Sequence, residues 1–298
     1  MMRKIKIGYF ADGKWSHNLF KWLIKNKSIE VSFICLRNKN PDIYLINIAK
    51  ENKVKILKPK NINLFNFINK NISKDTNLFV SMSYNQIFKK KILSIPNLGS
   101  INCHAGKLPF YRGRNPLNWA LINGEKEFGI TTHYINNEID RGDIIIQKIY
   151  KIKLKDTYDT LLKKAIIQCP KILIKSIKII QSGKINKTKQ NSINKKGSYY
   201  KKRKPGDEII NWNSKAINIF NFVRALSLPG PMACSSFNRK KIYINKVDYF
   251  FKKNYKFVKP GTIIKVRPRY FYISAQDLLI KVLDWKCDFK LHEHQVLT

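Results

Sequence analysis

An asparagine and a histidine stand two positions apart at the end of an apolar run, and an aspartate follows further along the chain. Asn102 and His104 close the run "LGSINCH", and Asp140 lies in "EIDRGD". Side chains two positions apart on a strand point to the same face, so the Asn102 amide and the His104 imidazole can donate hydrogen bonds to one oxygen. Donors fixed where negative charge develops stabilise the oxyanion of an acyl transfer by about 3 kcal/mol each. This pattern predicts chemistry directed at a carbonyl carbon.

The expected role of Asp140 depends on the imidazole. A carboxylate beside His104 would hold its tautomer and favour its protonated form, or accept a proton from an attacking amine. Gly142 would allow a tight turn close to the ligand. No serine or cysteine lies in a nucleophile elbow of the GxSxG type. We therefore expect the attacking group to come from a substrate.

Each of these features has a structural explanation when it is taken alone. A single histidine is more often a hydrogen-bonded structural residue, and a single aspartate at a turn is a turn carboxylate by default. The segment "LPFYRGRNP" fits a rigid surface loop in which Pro109 and Gly113 set the turns. The catalytic interpretation depends on their joint order within residues 101–146.

Strands alternate with helices in the first part of the chain. Short apolar runs are separated by segments whose apolar residues recur at helical spacing. The predicted strands are "KIKIGYF", "IEVSFICL", "VKIL", "NLFVSMS" and "LGSINCH", and the helices between them are "HNLFKWLIKN", "DIYLINIAKENK" and "INLFNFINKNI". This order predicts a doubly wound α/β domain with a mostly parallel sheet. Ligands of such sheets bind beyond the carboxyl ends of the strands, where "LGSINCH" ends.

The usual nucleotide-binding motifs are missing from the sequence. The first strand is followed by "YFADG" and not by GxGxxG, and there is no Walker A pattern. These observations disfavour a dinucleotide-binding Rossmann site and a P-loop.

A second, smaller domain is predicted after a basic linker. "EIDRGDIIIQKIYKI" fits a strand pair, and a long helix begins near Asp156 and ends near Gly183. The polar segment "INKTKQNSINKKGSYYKKRKPGDE" precedes the helix "SKAINIFNFVRALS" and four short β-rich runs. We predict a catalytic domain over 1–190, a linker over 191–207, and a C-terminal helix with a small OB-like β domain over 208–298.

The charge of the chain is strongly positive but dispersed. Lys+Arg number 58 against 19 Asp+Glu, which gives a net charge of +39 and a pI of about 10.1. A nucleic-acid site should cluster its charge on one face, whereas these lysines are spread among Ile and Asn along the whole chain. We expect no specific nucleic-acid partner, although such a field would also attract anionic lipid or a small phosphate-bearing substrate.

The cysteines and the apolar segments predict a reduced, cytoplasmic protein. Five cysteines without CxxC spacing indicate neither a disulfide framework nor a zinc site, so we expect no metal. "MMRKIKIGYFADG" lacks the apolar region of a signal peptide, and "AIIQCPKILIKSIKII" is too short and too basic to span a bilayer. No transmembrane segment is expected.

The chemical stretch resembles the formyltransferase superfamily that uses N10-formyltetrahydrofolate. The family pattern is an Asn-x-His pair, a Leu-Pro and Arg-Gly loop, and a downstream Asp-x-Gly. Here these are Asn102-Cys103-His104, "KLPFYRG" and Asp140-Arg141-Gly142. The resemblance covers roughly residues 3–185 and resumes with "YYKKRKPGDEIINW" and "NFVRALSLPGPMA". It implies a Rossmann-like formyltransferase domain that transfers a formyl group to a primary amine.

The resemblance also implies residue roles. Asn102 and His104 would steady the oxyanion, while Asp140 would orient His104 and help to remove the amine proton. The segment "SMSYNQIF" matches the family's folate loop, whose backbone groups hold the pterin. The implied folate contacts are Met82, Ser83, Tyr84, Gln86, Ile87 and Asp140, and the implied substrate contacts are Lys107, Tyr111, Arg112 and Arg114. Lys107 departs from the family, where many members have Leu, and leaves the local substrate contacts open.

Three acceptors compete within the superfamily: a nucleotide-linked amino sugar, methionyl-tRNA and glycinamide ribonucleotide. Enzymes for the last are shorter and lack the second domain. The tRNA enzymes carry a basic insertion after the second strand, whereas "CLRNKNPDIYLINIAKENK" runs almost directly from strand into helix. "YFADGKWSH" and "HAGKLPFYRGRNPLNWALINGE" are more similar to sugar-nucleotide N-formyltransferases of surface polysaccharide pathways such as lipopolysaccharide synthesis. We favour the nucleotide sugar over methionyl-tRNA.

A non-catalytic nucleic-acid-binding protein is the second alternative. It depends on the net charge and on a β domain with alternating aromatic and basic residues, as in "VRPRYFYIS". Under this alternative the residues at 102, 104 and 140 would coincide with the catalytic pattern by chance. A homodimer stays open, as do the sugar and the amine position.

Overall fold

The chain forms two compact units in a computed structural model that describes residues 4–250, with the side chain of residue 250 excepted, and 258–298. The first unit comprises Met1–Gly113, Gly129–Tyr150 and Lys164–Tyr199, and the second comprises Arg114–Phe128, Lys151–Lys163 and Tyr200–Thr298. The predicted domain boundaries, with a linker over 191–207, stay a prediction.

The elements follow the predicted alternation of strands and helices. The strands are β1 (Ile5–Ala11), β2 (Ile29–Cys35), β3 (Ile56–Leu57), β4 (Leu78–Met82), β5 (Ser100–His104), β6 (Arg112–Gly113), β7 (Glu127–Tyr134), β8 (Ile144–Lys151), β9 (Tyr199–Tyr200), β10 (Ala233–Phe237), β11 (Lys240–Phe250), β12 (Ile263–Arg267), β13 (Tyr270–Ser274) and β14 (Leu279–Cys287). The helices are α1 (Lys14–Lys25), α2 (Ile43–Glu51), α3 (Phe65–Asn71), α4 (Lys90–Leu93), α5 (Pro116–Ile122), α6 (Tyr158–Gln181), α7 (Gln190–Ile193) and α8 (Ala216–Leu226).

A seven-stranded sheet has the order β3-β2-β1-β4-β5-β7-β8. The strands from β3 to β5 pair in parallel, and β5 pairs with β7 in the antiparallel direction. The predicted doubly wound, mostly parallel sheet is confirmed. The strand order reverses between β1 and β4, so the carboxyl ends of β1, β4 and β5 lie at the edge where such folds bind ligands.

Two elements around the chemical stretch differ from the sequence prediction. "EIDRGDIIIQKIYKI" does not form a strand pair, because extended structure begins only at Ile144. Asp140 has a φ of 53°, a left-handed conformation that ends an extended chain. The strand missing from the prediction is β7, which lies upstream in "EFGITTHY" and supplies the antiparallel neighbour of β5.

Aromatic packing around Phe10 holds the segment that follows β4. Phe10 makes edge contacts with the rings of Phe33, Phe79, Tyr84 and Phe88 at centroid distances of 4.7–5.5 Å. Edge-to-face pairs of this kind add about 0.5–1.5 kcal/mol each beyond the area they bury. The segment that leaves β4 is therefore anchored by two of its own side chains, Tyr84 and Phe88.

The second unit contains a five-stranded sheet with the order β10-β11-β14-β13-β12. Its pairs are antiparallel, and α8 covers one face with a core that includes Ile219, Val223 and Phe271. The smaller β-rich C-terminal part is thereby confirmed. The polar segment between the two parts, in which no helix or strand was predicted, contains α7 and β9.

The longest helix, α6, has a proline inside it at Pro170 and carries several lysines. Within residues 4–250 and 258–298, no helix has both the length and the apolar character needed to cross a membrane.

Candidate active site

Strand β5 delivers Asn102 and His104 to one face at its carboxyl end. Its register with β7 places Asn102 opposite His133 and His104 opposite Thr131. The His104 side chain is 8% exposed, and Asn102 is half-buried. Because both donors belong to one short, fully paired strand, their spacing is fixed before any ligand binds.

Asp140 lies within reach of His104, as the sequence pattern predicts. Its Oδ2 is 3.6 Å from His104 Nδ1 and accepts a hydrogen bond of 2.8 Å from the backbone N–H of Gly113. The distance to the imidazole slightly exceeds that of a direct hydrogen bond. The three side chains predicted from the sequence therefore form one cluster, with Asp140 bound at one oxygen by a backbone donor.

A backbone carbonyl determines the tautomer of His104. Nε2 lies 2.6 Å from the oxygen of Tyr111, and since a carbonyl only accepts, Nε2 carries the hydrogen. Gly106 makes this contact possible, because a Cβ at that position would lie 2.5 Å from His104 Nε2. Nδ1 is consequently the nitrogen that faces Asp140, and it can gain or lose a proton during a reaction.

The sequence prediction omitted His133, which completes the cluster. Its Nε2 is 3.5 Å from Asp140 Oδ1 and 3.4 Å from Asn102 Nδ2, and its Nδ1 donates to the oxygen of Tyr134 at 2.8 Å. Asp140 thus has an imidazole near each carboxylate oxygen. The sequence does show a histidine in the β-rich run "GITTHY". Its role becomes apparent only when β7 is paired with β5, which sets His133 opposite Asn102.

Opposing effects act on the pKa of Asp140. Burial of the carboxyl acts to raise its pKa, whereas the charges of His104 and His133, the hydrogen bond from His133 and the Gly113 amide act to lower it. The outcome is a pKa well below the ordinary value of an aspartate. Asp140 is therefore a carboxylate at neutral pH. A depressed pKa contributes to folding stability above about pH 4, and this contribution is lost as the pH falls toward the folded pKa.

Gly142 is required by a close approach of the backbone. A Cβ at this position would overlap the carbonyl of Tyr134. We expect Gly142→Ala to destabilise the protein by about 1–3 kcal/mol or more, because the backbone must move, and to lower the rate of the reaction at this site by displacing Asp140. Urea unfolding and initial rates measure the two effects.

Gly183→Ala is the matched control for this substitution. Gly183 has a φ of 69°, and a Cβ at this position would have no atom within 4 Å, so alanine there costs only the left-handed conformation. It should lower stability by about 1–2 kcal/mol and leave the rate intact. A Gly142→Ala protein that keeps its full rate would show that this turn does not position Asp140.

Two of the residues predicted to contact folate are buried. Met82 ends β4, and Tyr84 packs into the aromatic core with its hydroxyl 3.3 Å from Cys35 Sγ. Their side chains pack into the protein interior and hold the backbone of residues 82–84. A ligand at this edge would therefore meet the backbone around residue 83 and not these two side chains.

The remaining predicted folate contacts lie on a braced loop. Ser83 is exposed with a φ of 60°, and the side chain of Ile87 is 59% exposed. The Gln86 amide accepts from the N–H of Ile62 at 2.9 Å and donates to the oxygen of Pro59 at 3.1 Å. Gln86 thus fixes the loop, and the apolar side chain of Ile87 remains at its surface. In the described part of the chain no group of His, Cys, Asp or Glu is arranged to hold a metal ion.

The predicted substrate contacts are distributed over different environments. Lys107 is half-buried, and Tyr111 is buried with a φ of 59°. Arg112 is 2% exposed, and its Nε and Nη2 both donate to Gln190 Oε1 at 3.0 and 2.9 Å. Arg114 is exposed and belongs to the second unit. The guanidinium of Arg112 is therefore engaged inside the protein, which favours a structural role over direct contact with a substrate.

Comparison with curated proteins identifies related sequences. The bifunctional polymyxin resistance protein ArnA of Wigglesworthia glossinidia brevipalpis is 41% identical over 244 residues, which cover 81% of this chain and 36% of that protein. Methionyl-tRNA formyltransferase of Thermodesulfovibrio yellowstonii is 34% identical, with 79% of this chain and 74% of that protein covered. The chain thus spans about a third of the first relative and three quarters of the second.

The same architecture occurs in solved structures. An N-formyltransferase from Helicobacter canadensis, in complex with folinic acid and dTDP-3-aminofucose, superposes with a TM-score of 0.68 at 24% identity, covering 95% of this chain and 99% of that one. At this identity the similarity establishes the fold alone. The family model described as formyl transferase matches residues 29–177, and the model for the formyl transferase C-terminal domain matches residues 202–290. With the cluster of Asn102, His104 and Asp140 at the end of β5, these matches show that the chain belongs to the formyl transferase family.

Proposed function

We propose that this chain transfers a formyl group from N10-formyltetrahydrofolate to the primary amine of a nucleotide-linked amino sugar, in the synthesis of a surface polysaccharide. The observation that carries the reaction type is the cluster of Asn102, His104 and Asp140 at the carboxyl end of β5. No side-chain nucleophile is required, because the acceptor amine attacks the formyl carbon itself.

The donor supplies a formyl carbon bound to nitrogen: a C–N bond to the acceptor amine forms, the bond to the donor nitrogen breaks, and one proton passes from the amine to the donor nitrogen. The Asn102 amide carries two hydrogens on Nδ2, and one of them can bind the formyl oxygen. A protonated His104 Nδ1 can donate to the same oxygen as its negative charge grows.

Asp140 supports this reaction by its charge. A carboxylate whose pKa is well below the ordinary value is a weak base, so storage of the amine proton is the less favourable of its two candidate roles. Its negative charge stabilises an imidazolium at His104, while the Gly113 amide holds the carboxylate in place. We therefore assign Asp140 chiefly to electrostatic support of His104.

The loop after β4 fits a flat heteroaromatic group. Ser83 is exposed just after the strand end, the side chain of Ile87 offers an apolar surface, and Gln86 holds the loop by its hydrogen bonds to Ile62 and Pro59. Backbone donors and acceptors with one apolar side chain suit the ring of a folate, which needs hydrogen bonds in its plane and apolar contact on its face. These residues would hold the donor beside the carboxyl end of β5.

The connection between β2 and α2 favours a small acceptor over tRNA. It comprises only residues 36–42, and side-chain contacts hold both of its ends. Arg37 forms an ion pair with Asp12, and Asp42 both caps α2 and lies 2.8 Å from His17 Nε2. A short connection that is fixed in this way has no projecting basic segment to enter an acceptor stem. Methionyl-tRNA is the alternative acceptor, because methionyl-tRNA formyltransferases are among the related proteins.

Turnover of a substrate panel tests the proposal. The protein is incubated with N10-formyltetrahydrofolate and, in separate reactions, nucleotide-linked 3-amino sugars, nucleotide-linked 4-amino sugars, the same sugars without a nucleotide, or methionyl-tRNA. We expect release of tetrahydrofolate only with a nucleotide-linked amino sugar. Turnover confined to methionyl-tRNA would replace the proposed acceptor, and turnover with none would leave the proposed reaction without support.

A further inference from the structure

We propose that Gln190 is a positioning residue for the active site, and that it aligns Asp140 and His104 by joining the two loops that hold them. This proposal rests on the proposed function, because it concerns the geometry of the same cluster. Gln190 begins α7, directly before the predicted linker over 191–207, and it is only 3% exposed. Its hydrogen bonds reach the side chain of Arg112 and the backbone oxygens of Asp140 and Gly142.

The amide of Gln190 uses both of its ends. Oε1 accepts from Nε and Nη2 of Arg112 at 3.0 and 2.9 Å. Nε2 donates to the backbone oxygens of Asp140 and Gly142 at 2.7 and 2.8 Å. Two acceptor and two donor interactions meet the full capacity of a glutamine side chain. A completely satisfied buried amide fixes the groups around it, because each lost bond leaves a buried polar atom unpaired.

One end of this bridge determines the turn at Asp140. Asp140 has a φ of 53°, in the left-handed region that a residue with a side chain rarely adopts. Such a conformation persists only where surrounding contacts hold it. The two bonds from Gln190 Nε2 span this turn, one to Asp140 and one to Gly142. They hold the backbone from which the carboxylate projects.

The other end determines the segment Tyr111–Gly113. Arg112 is anchored by Gln190 and by the oxygen of Lys196, which accepts from Nη1 at 3.2 Å. The residues on either side of Arg112 bind the active site directly, since the oxygen of Tyr111 accepts from His104 Nε2 and the N–H of Gly113 donates to Asp140 Oδ2. Gln190 therefore ties the backbone that orients the imidazole to the backbone that carries the carboxylate.

The position of Gln190 is itself fixed by strand-like pairing. Thr188 and Ile144 exchange two backbone hydrogen bonds of 2.8 and 2.9 Å, at the residue where β8 begins. This bridge places residue 190 beside the turn at 140–142. The segment from 188 to 198 thus acts as a clasp over the active-site loops of the first unit.

Gln190→Glu separates the two ends of the bridge. A carboxylate retains both acceptor interactions with Arg112 but cannot donate to the oxygens of Asp140 and Gly142, which it would repel. We expect kcat to fall about tenfold or more while KM for donor and acceptor changes less than about threefold, because alignment is lost and binding surfaces are not. Gln190→Ala, which leaves space for water, should show the same pattern.

Gln181→Glu is the matched control. Gln181 is also a buried glutamine of the first unit, but it donates to Ser28, far along the chain from the active-site loops. The same chemical change there should lower stability in urea without changing kcat. Equal kcat losses in the Gln190→Glu and Gln181→Glu proteins would mean that any buried charge is harmful, and would overturn the positioning role.

Two further readouts separate alignment from general stability. In an Asp140→Asn background, Gln190→Glu should cost less than about twofold, because the carboxylate that the two lost bonds align is already absent. A full tenfold cost there contradicts the proposal. Amide exchange of 15N-labelled Gly113 is independent of turnover, and Gln190→Glu should accelerate it about tenfold or more beyond what the accompanying loss of global stability accounts for. If exchange in the Gln190→Glu protein were unchanged, the positioning role would be refuted, whatever the acceptor is. If exchange in that variant were accelerated but the wild-type protein transferred no formyl group, only the proposed function would be refuted.

Discussion

We expect His104→Ala to lower kcat for formyl transfer by on the order of a hundredfold or more while substrate binding largely survives. The imidazole donates toward charge that exists only as the formyl oxygen becomes negative, so its loss affects the transition state more than the bound substrates. The substitution also leaves the oxygen of Tyr111 without its donor, which should cost about 1–3 kcal/mol of stability. Steady-state kinetics and urea unfolding measure these effects separately.

Asn102→Ala should give a loss of similar size, because the amide supplies the second donor to the same oxygen. His292→Ala is the control, since His292 is an exposed histidine of the second unit and should retain the wild-type rate. If the His104→Ala protein kept full activity on the best acceptor, the imidazole would be a structural residue and the proposed mechanism would be wrong.

The sequence was sufficient to place Asn102 and His104 at the end of a parallel strand. β5 is a short apolar run in regular alternation with helices, and in such a fold the carboxyl ends of the strands converge. Asp140 could be paired with them only through the order of the family motif. Local sequence gives no sign that Asp140 adopts a left-handed turn, because its φ of 53° is imposed by contacts with distant residues.

His133 escaped prediction for a topological reason. It joins the cluster because β7 runs antiparallel to β5 and sets His133 opposite Asn102. The sequence pattern predicted a strand pair downstream of residue 138, so no register with β5 could be derived. A one-residue change of register would have turned His133 to the other face of the sheet.

The backbone contacts of the site could not be predicted from the sequence either. The tautomer of His104 is determined by the oxygen of Tyr111, and one oxygen of Asp140 is held by the N–H of Gly113. The arginine between these two residues was expected to contact substrate because the family resemblance implied it. Its guanidinium instead binds Gln190, which lies 78 positions away at the predicted boundary between the catalytic domain and the linker.

The cluster should behave as one unit when two members are changed together. Asp140→Asn keeps the size of the side chain but removes the charge that favours an imidazolium at His104. We expect kcat to fall by on the order of a hundredfold.

If the carboxylate acts only through His104, it has little left to support once the imidazole is gone. The double variant His104→Ala with Asp140→Asn should therefore be slower than the poorer single variant by less than about tenfold, and not by the roughly ten-thousandfold product of independent losses. Combining His104→Ala with Asp288→Asn, an exposed aspartate of the second unit, controls for the change of charge and should add nothing. Losses at 104 and 140 that multiply in full would mean that Asp140 acts on the substrate independently, with removal of the amine proton as its main role despite its depressed pKa.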